Sequence, residues 1–203
     1  MDKWDDPAEI RLHAVIDMGL NFSAMLRLYK KESKKQLYEK IFSEIKKLFE
    51  AKSEADFTKF HLSICDWGIG NICLRDGKTF ASYGQFAKTV NVVLKVAIYY
   101  CHLPDCQKSK QISRWLHAAV DTKMMGKLRR CYPRAIKPWP TTLQEIRDWQ
   151  SYKAIQELVC RFIREKHQEG ILPVQLDDIY WWKLNKAKVY GNSCSGKFTS
   201  ACL

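Results

Sequence analysis

The sequence lacks several features that would assign it to a class at once. It has no run of roughly 18 apolar residues, the length that a helix needs to cross a bilayer. Its eight cysteines include no Cys-x-x-Cys pair, so we expect reduced core thiols and no metal site. The acidic start, MDKWDDPAEI, has none of the apolar stretch of a signal peptide. We therefore expect an intracellular, cytoplasmic protein.

Acidic residues are too few to balance the basic ones. The 203 residues include 34 Lys and Arg against 22 Asp and Glu, which gives 34 − 22 = +12. Such a charge favours a polyanionic partner, with nucleic acid first and an anionic membrane surface second. The alternative is a protein whose excess charge only keeps it dispersed. The charge is spread over folded segments, because lysines in stretches such as KKESKK alternate with glutamate and no basic low-complexity tail exists.

Strand-like alternation is scarce, whereas helical spacing is frequent. Apolar residues recur three and four positions apart in KQLYEKIFSEIKKLFEAK: Leu37, Ile41, Ile45, Leu48 and Phe49. The pattern predicts an all-α fold, in one helical domain over residues 1–203. A proline-rich link separates possible lobes at 1–132 and 141–190, and the Gly/Ser-rich tail at 191–203 is expected to be loose.

Capping residues mark the predicted helix starts. Ser53 is a good N-cap with acidic residues after it, and Asp121 is placed to cap a helix within 116–132. Thr142 and Glu145 have the spacing of a capping box. We expect them to begin a long helix that ends at Gly170.

Two stripes run along YGQFAKTVNVVLKVAIYYCHL, from Tyr83 to Leu103, when it is drawn as a single helix. The first is apolar and predicts a core face: Phe86, Val90, Val93, Leu94, Ala97, Ile98 and Cys101. The second holds two lysines on one line: Lys88, Val92, Lys95, Tyr99 and His102. A solvated stripe of this charged chain would hold more Glu, Lys and Arg. The second stripe is therefore interpreted as the lining of a groove.

A lysine in a partly apolar groove can do chemistry. Desolvation disfavours its ammonium form, and the neutral amine is a nucleophile that forms Schiff bases. The alternative is that Lys88 and Lys95 extend along an apolar flank to water. Asp121 follows Lys88 by 33 residues and would be ionised at a helix N-terminus. Its alternative role is a simple N-cap.

These segments resemble the helix-hairpin-helix DNA glycosylases. GKT, YGQFAKTVNVVLK and, some 25 residues on, HAAVD are most similar to the archaeal 8-oxoguanine DNA glycosylases and related bacterial proteins of that fold. The likeness covers about 45 residues, from Gly77 to Asp121. It implies two helical lobes around a cleft, and an enzyme that removes an oxidised purine such as 8-oxoguanine and then cleaves the strand.

The resemblance also implies roles. Lys88 matches the catalytic lysine, Lys95 a second helix lysine, and Asp121 the catalytic aspartate. The family hairpin usually reads Gly-x-Gly, whereas the glycines here are Gly77 and Gly84, so Lys95 stays open as the active amine. Backbone amides of residues 75–84 would hold a phosphate. Double-stranded DNA with a damaged base would be the partner of a monomer that needs no cofactor and contacts no membrane.

The remaining DNA contacts are assigned by charge and by aromatic character. A duplex would be held by a basic and polar set: Arg75, Lys78, Gln85, Lys123, Lys127, Arg129 and Arg130. In DDIYWW, Trp181 or Trp182 would stack on the flipped base, and Asp177 or Asp178 would accept from its N–H groups. The alternatives are core tryptophans and first-turn aspartates, a DNA-binding protein without catalysis, and a helical interaction or defence-associated protein.

Overall fold

The structure is a computed structural model that describes residues 6–167 and 170–180. The predicted all-α character is confirmed for this part of the chain. Its helices with described bounds are α1 (Pro7–Phe22), α2 (Lys31–Phe49), α3 (Glu54–Asn71), α4 (Tyr83–Leu94), α5 (Cys106–Ser113), α6 (Thr122–Cys131) and α7 (Trp149–Lys166). A π-helix, Lys95–Tyr100, continues α4. Short 3-10 turns lie at Ala24–Leu28, Leu143–Glu145 and Pro173–Gln175.

Helix α1 was not predicted, although its start carries a recognisable signal. Asp6 is the N-cap, and its side chain accepts a hydrogen bond of 2.8 Å from the Ala8 amide. Pro7 stands in the first turn, where a missing N–H costs nothing. The start of α3 follows the prediction, since Ser53 and Asp56 form a reciprocal capping box.

Helix α4 is the centre of the fold. It packs against α1, α3, α7 and the turn at 143–145, and every one of its residues except Lys88 and Val92 is buried. Gly84 permits one of these approaches. A β-carbon there would lie 2.6 Å from the Leu143 carbonyl oxygen and 2.7 Å from Ile146 Cβ. One buried core runs from Leu12 to Leu176.

Two predicted helix boundaries are wrong. Thr142 and Glu145 do form a hydrogen bond, but the helical turn there covers only Leu143–Glu145. Helix α7 begins later, after Asp148, whose side chain accepts from the Ser151 amide at 2.8 Å. It ends at Lys166, ahead of Gly170. Asp148 is the stronger signal, because its carboxylate both caps the helix and complements the helix dipole.

The segment from Tyr83 to Leu103 is not one regular helix. Helix α4 gives way at Lys95 to a π-helix, which has more residues per turn than an α-helix. The register therefore advances by one residue, and Tyr100 takes the place predicted for Tyr99. The chain then turns at His102, which has a positive φ of 54°.

Some predictions lie outside the described residues: Trp181, Trp182, the end of the 141–190 lobe and the 191–203 tail. Among the helices that are described, none is long and apolar enough to cross a membrane.

Candidate active site

A cavity of about 820 Å³ opens beside α4, the π-helix and α6. Eight of the residues to which the sequence assigned a catalytic, base-pocket or DNA-binding role line it together: Lys88, Lys95, Asp121, Lys123, Lys127, Arg130, Asp177 and Asp178. These residues come from parts of the chain up to 90 positions apart, so the fold has assembled them. The volume lies in the range of small-molecule and cofactor sites.

Lys88 reaches the cavity because of its place on α4. It and Val92 are the two residues of that helix that are not buried, and both line the cavity. The groove predicted from the second stripe is thus the place where the central helix meets solvent. No ion pair joins Lys88 to a carboxylate within residues 6–167 and 170–180.

The environment of Lys88 favours a neutral amine. Burial lowers the pKa of its ammonium group, and the carboxylates of Asp121 and Asp177 offset this only in part. The sequence-based expectation of a desolvated lysine therefore has a physical basis. A larger fraction of Lys88 is neutral at a given pH than for a solvent-exposed lysine.

Lys95 differs from Lys88 in its partners. Its side chain is 6% exposed, and its Nζ lies 2.7 Å from Asp177 Oδ1 and 2.5 Å from Asp178 Oδ1. The ammonium also lies 5.4 Å from the centre of the Tyr100 ring. Two carboxylates and an aromatic face thus surround its ammonium group. Lys95 is consequently a structural cation, poorly placed to act as an amine nucleophile.

The two aspartates beside Lys95 are not equivalent. Burial raises the pKa of the Asp177 carboxyl, and the Lys95 ammonium offsets this only in part. Asp178 is more exposed, at 43% of its side chain against 26% for Asp177. Each carboxylate has acceptor capacity beyond its bond to Lys95. They can therefore still accept hydrogen bonds from a ligand in the cavity.

Asp121 caps α6 and faces the same cavity. Its Oδ1 accepts a hydrogen bond of 2.8 Å from the Met124 amide. The predicted N-cap is confirmed, and the cap also leaves the carboxylate close enough to Lys88 to act on its pKa. The structural and chemical interpretations of Asp121 are therefore compatible.

The backbone leading to Asp121 is fixed by buried amides that the sequence analysis missed. Asn91 Nδ2 donates to the Ala118 carbonyl at 2.9 Å. Gln156 accepts from the Ala118 amide and donates to its carbonyl, both at 3.0 Å. Asn91 could have been noticed, because it is an amide on an otherwise apolar helix midway between the two lysines. Nothing in the sequence pairs Gln156 with Ala118.

Several backbone amides of the connector before α4 are bonded within the protein: Lys78 and Thr79 to Asp76, Ser82 to the Gln85 side chain, and Gly84 to the Ile146 carbonyl. These amides are engaged in holding the connector and the start of α4. A phosphate site on residues 75–84 stays a prediction.

The predicted DNA contacts divide into two groups. Lys123 and Lys127 line the cavity, whereas Arg75 and Lys78 are exposed on the connector and do not. Gln85 needs correction, because it is only 8% exposed and its side chain caps the start of α4. Its placement is structural. Arg129 and Arg130 are exposed on α6, and Arg130 also lines the cavity.

The cavity is also lined by three aromatic residues that were not predicted there, and Tyr180 is the partly buried one. Phe22, at the end of α1, is 67% exposed, and Tyr100 is 49% exposed. Both rings are therefore accessible to a ligand in the cavity. Tyr100 was missed because the π-helix shifts the register. Phe22 was missed because α1 was missed.

Charge is distributed unevenly in the cavity. Its five basic and three acidic residues give 5 − 3 = +2, so the cavity favours an anion. Asp177, Asp178 and Lys95 are grouped together, whereas Lys123, Lys127 and Arg130 follow one another along α6.

No protein-family model, curated protein or solved structure matches this chain.

Proposed function

We propose that this chain is a DNA glycosylase and lyase of the helix-hairpin-helix type, with Lys88 as its nucleophile. The observation that carries the proposal is the contrast between the two lysines of one helix. Lys88 opens into the cavity with a lowered pKa, while Lys95 is buried between two carboxylates. Amine catalysis needs the first environment and is suppressed by the second.

The chemistry has two stages. Nζ of neutral Lys88 bonds to the sugar C1′ while the C1′–N bond to the damaged base breaks, and the base leaves with that electron pair and gains a proton. The nitrogen then loses a proton, and its lone pair forms the protonated imine as the C1′–O4′ bond opens; O4′ keeps that bonding pair and gains a proton. Removal of a proton from C2′ finally expels the 3′-phosphate. Asp121 holds a proton or stabilises the positive charge on the sugar.

The base would enter the same cavity after leaving the stack. Asp177 and Asp178 would accept hydrogen bonds from its N–H groups, and Phe22 or Tyr100 would stack on its ring. Trp181 and Trp182 stay predictions for this role. The two-lobed glycosylase fold is part of the proposal; it is supported by the all-α architecture and by the lysine and aspartate that share one cavity.

Borohydride trapping tests the proposal, because reduction of the imine fixes a covalent adduct between protein and DNA. We expect an adduct with an 8-oxoguanine duplex for the wild type and for Lys31→Gln, which removes an exposed lysine of α2. Lys88→Gln should give none. An adduct that persists in Lys88→Gln but disappears in Lys95→Gln would reverse the two assignments. A duplex with a preformed abasic site separates strand cleavage from base removal.

A second function is favoured by the acid-free basic sequence of α6 and the turn after it. A DNA-binding protein without catalysis would use the same surface and need no amine. Binding would then be salt-sensitive and would survive Lys88→Gln, with no adduct on any damaged duplex. A flat titration at low salt would instead support an interaction protein with no nucleic-acid role.

A further inference from the structure

Half of the net charge of the chain is concentrated in one short stretch. Residues 122–137 contain six basic side chains and no acidic one, which is +6 of the total of +12. They form what we call the α6 basic strip: Lys123, Lys127, Arg129, Arg130, Arg134 and Lys137. Helix α2 also has six basic side chains, all of them lysines, but it has three glutamates as well. The strip is therefore a local excess of charge that the rest of the chain does not show.

Pairing also distinguishes the strip from α2. On α2, Lys35, Lys40 and Lys47 each lie within 4.0 Å of a glutamate oxygen. By contrast, Arg129, Arg130, Arg134 and Lys137 form no ion pair with any carboxylate that the structure describes. Their mutual repulsion is thus not relieved by neighbouring acids.

The strip is continuous with the cavity. Lys123, Lys127 and Arg130 line it, so the strip begins at the proposed reaction site. The turn after α6 is closed by hydrogen bonds from the Ala135 amide and the Trp139 indole to the Tyr132 carbonyl. It therefore holds Arg134 and Lys137 close to the C-terminal end of α6.

Helix electrostatics accounts for only part of the strip. Arg129 and Arg130 stand in the last turn of α6, where cations stabilise the helix dipole. Arg134 and Lys137 lie beyond that turn, where this effect has fallen off. They are the residues whose charge the fold does not explain.

We propose that the α6 basic strip binds the phosphodiester backbone of DNA on the side of the lesion that faces α6. The inference rests on the proposed function for the position of the lesion, but the binding itself does not need catalysis. Ten helical residues at ~1.5 Å each extend over about 15 Å, which matches roughly four phosphates at ~3.4 Å of axial rise. Arg134 and Lys137 would extend the contact by one or two more phosphates.

Salt-dependent binding to an undamaged duplex tests the strip separately from the chemistry. Affinity is measured by fluorescence anisotropy between 50 and 200 mM salt for the wild type, the double variant Arg134→Gln/Lys137→Gln and the control Lys31→Gln/Lys35→Gln. The control removes the same charge from exposed positions of α2. Each phosphate contact contributes about 0.9 to the slope of log K against log salt. The strip variant should lose about 1.8 of that slope, and the control should lose none.

The outcomes separate the two proposals. Equal slopes for the strip variant and the wild type, or no binding by the wild type at low salt, would overturn the strip. Equal losses in the strip variant and the control would also overturn it, because the effect would then come from net charge alone. If the strip variant has a reduced slope of log K against log salt but the wild type never forms a covalent adduct with DNA, the proposal for the α6 basic strip stands and the glycosylase proposal fails.

Discussion

Two identical side chains on one helix are given different chemistry by their neighbours. Lys88 and Lys95 are seven residues apart, and both face the cavity. Burial without an ion pair lowers the pKa of Lys88, whereas two carboxylates stabilise the charge of Lys95. The line of lysines was predictable from periodicity. Their division of roles was not, because it depends on aspartates 82 and 83 positions farther along the chain.

This difference predicts opposite effects on stability. The pKa of Lys88 is lower in the folded state than in the unfolded state. The unfolded state therefore binds more protons when the pH lies between these two pKa values. At a pH below both values the amine is charged in both states, and its charge destabilises the folded state. Lys88→Met should therefore raise the free energy of unfolding at pH 7. Lys95→Met should lower it by about 1–3 kcal/mol, less than for a fully buried pair because both aspartates are partly exposed.

Urea unfolding of the wild type and both variants measures these changes. As pH rises toward the usual range of lysine, the advantage of Lys88→Met should shrink, because the wild-type amine is then neutral in both states. A loss of stability in Lys88→Met at pH 7 would contradict the desolvation argument.

At the scale of elements, close approach to α4 depends on glycine. A β-carbon on Gly84 would lie 2.6 Å from the Leu143 carbonyl oxygen, which belongs to the backbone and cannot move freely. Gly84→Ala should destabilise the fold by about 1–3 kcal/mol through overpacking. Gly126 on α6 has nothing within 4 Å, so Gly126→Ala should stabilise by about 0.5–1 kcal/mol through helix propensity.

Thermal unfolding checks the pair, and the opposite signs are the test. Both changes add one methyl group to a helix, so a general effect of alanine would move the two melting temperatures in the same direction. Equal shifts would mean that Gly84 does not mediate a tight contact between α4 and the turn at 143–145.

The elements show which parts of the fold the sequence could determine. Core faces and the caps at Ser53 and Asp121 were predictable, because periodicity and capping act within a few residues. The π-helix was not, because its extra residue per turn is stabilised by packing around it rather than by a local signal. Part of the cavity lining was predictable from sequence, because its lysines and aspartates stand among apolar or small residues. The hydrogen bonds by which Gln156 fixes the backbone at Ala118 were not predictable, because they join segments that are distant in the sequence.

Several elements of the molecule are joined by a buried polar cluster. His61 of α3 donates to Asn91 of α4 at 3.0 Å, and Asn91 donates to the Tyr152 hydroxyl of α7 at 2.9 Å. The same hydroxyl lies 2.8 Å from His117 Nδ1. The cluster therefore connects α3, α4, α7 and the segment that leads to Asp121, and a charge placed in it would disturb all four.

This cluster predicts acid sensitivity of the fold. Burial lowers the pKa of His61 from 6.5 to about 4, and burial and His61 also lower the pKa of His117. Between pH 6.5 and 4 the unfolded state binds more protons, so stability is present above pH 6.5 and is lost as the pH falls toward 4. At ~1.36 kcal/mol per pKa unit, His61 alone accounts for a loss of roughly 3 kcal/mol.

Urea unfolding from pH 7 to pH 4 measures this loss, with His61→Gln as the comparison. Glutamine keeps an N–H for Asn91 Oδ1 but does not titrate. Carboxylates with lowered pKa, such as Glu44 and Glu165, contribute equally to both proteins and cancel in the difference. The pH-dependent loss should therefore be smaller by up to about 3 kcal/mol in His61→Gln. Parallel profiles for the two proteins would show that His61 titrates alike in the folded and unfolded states, and His61 would then have no part in the acid response.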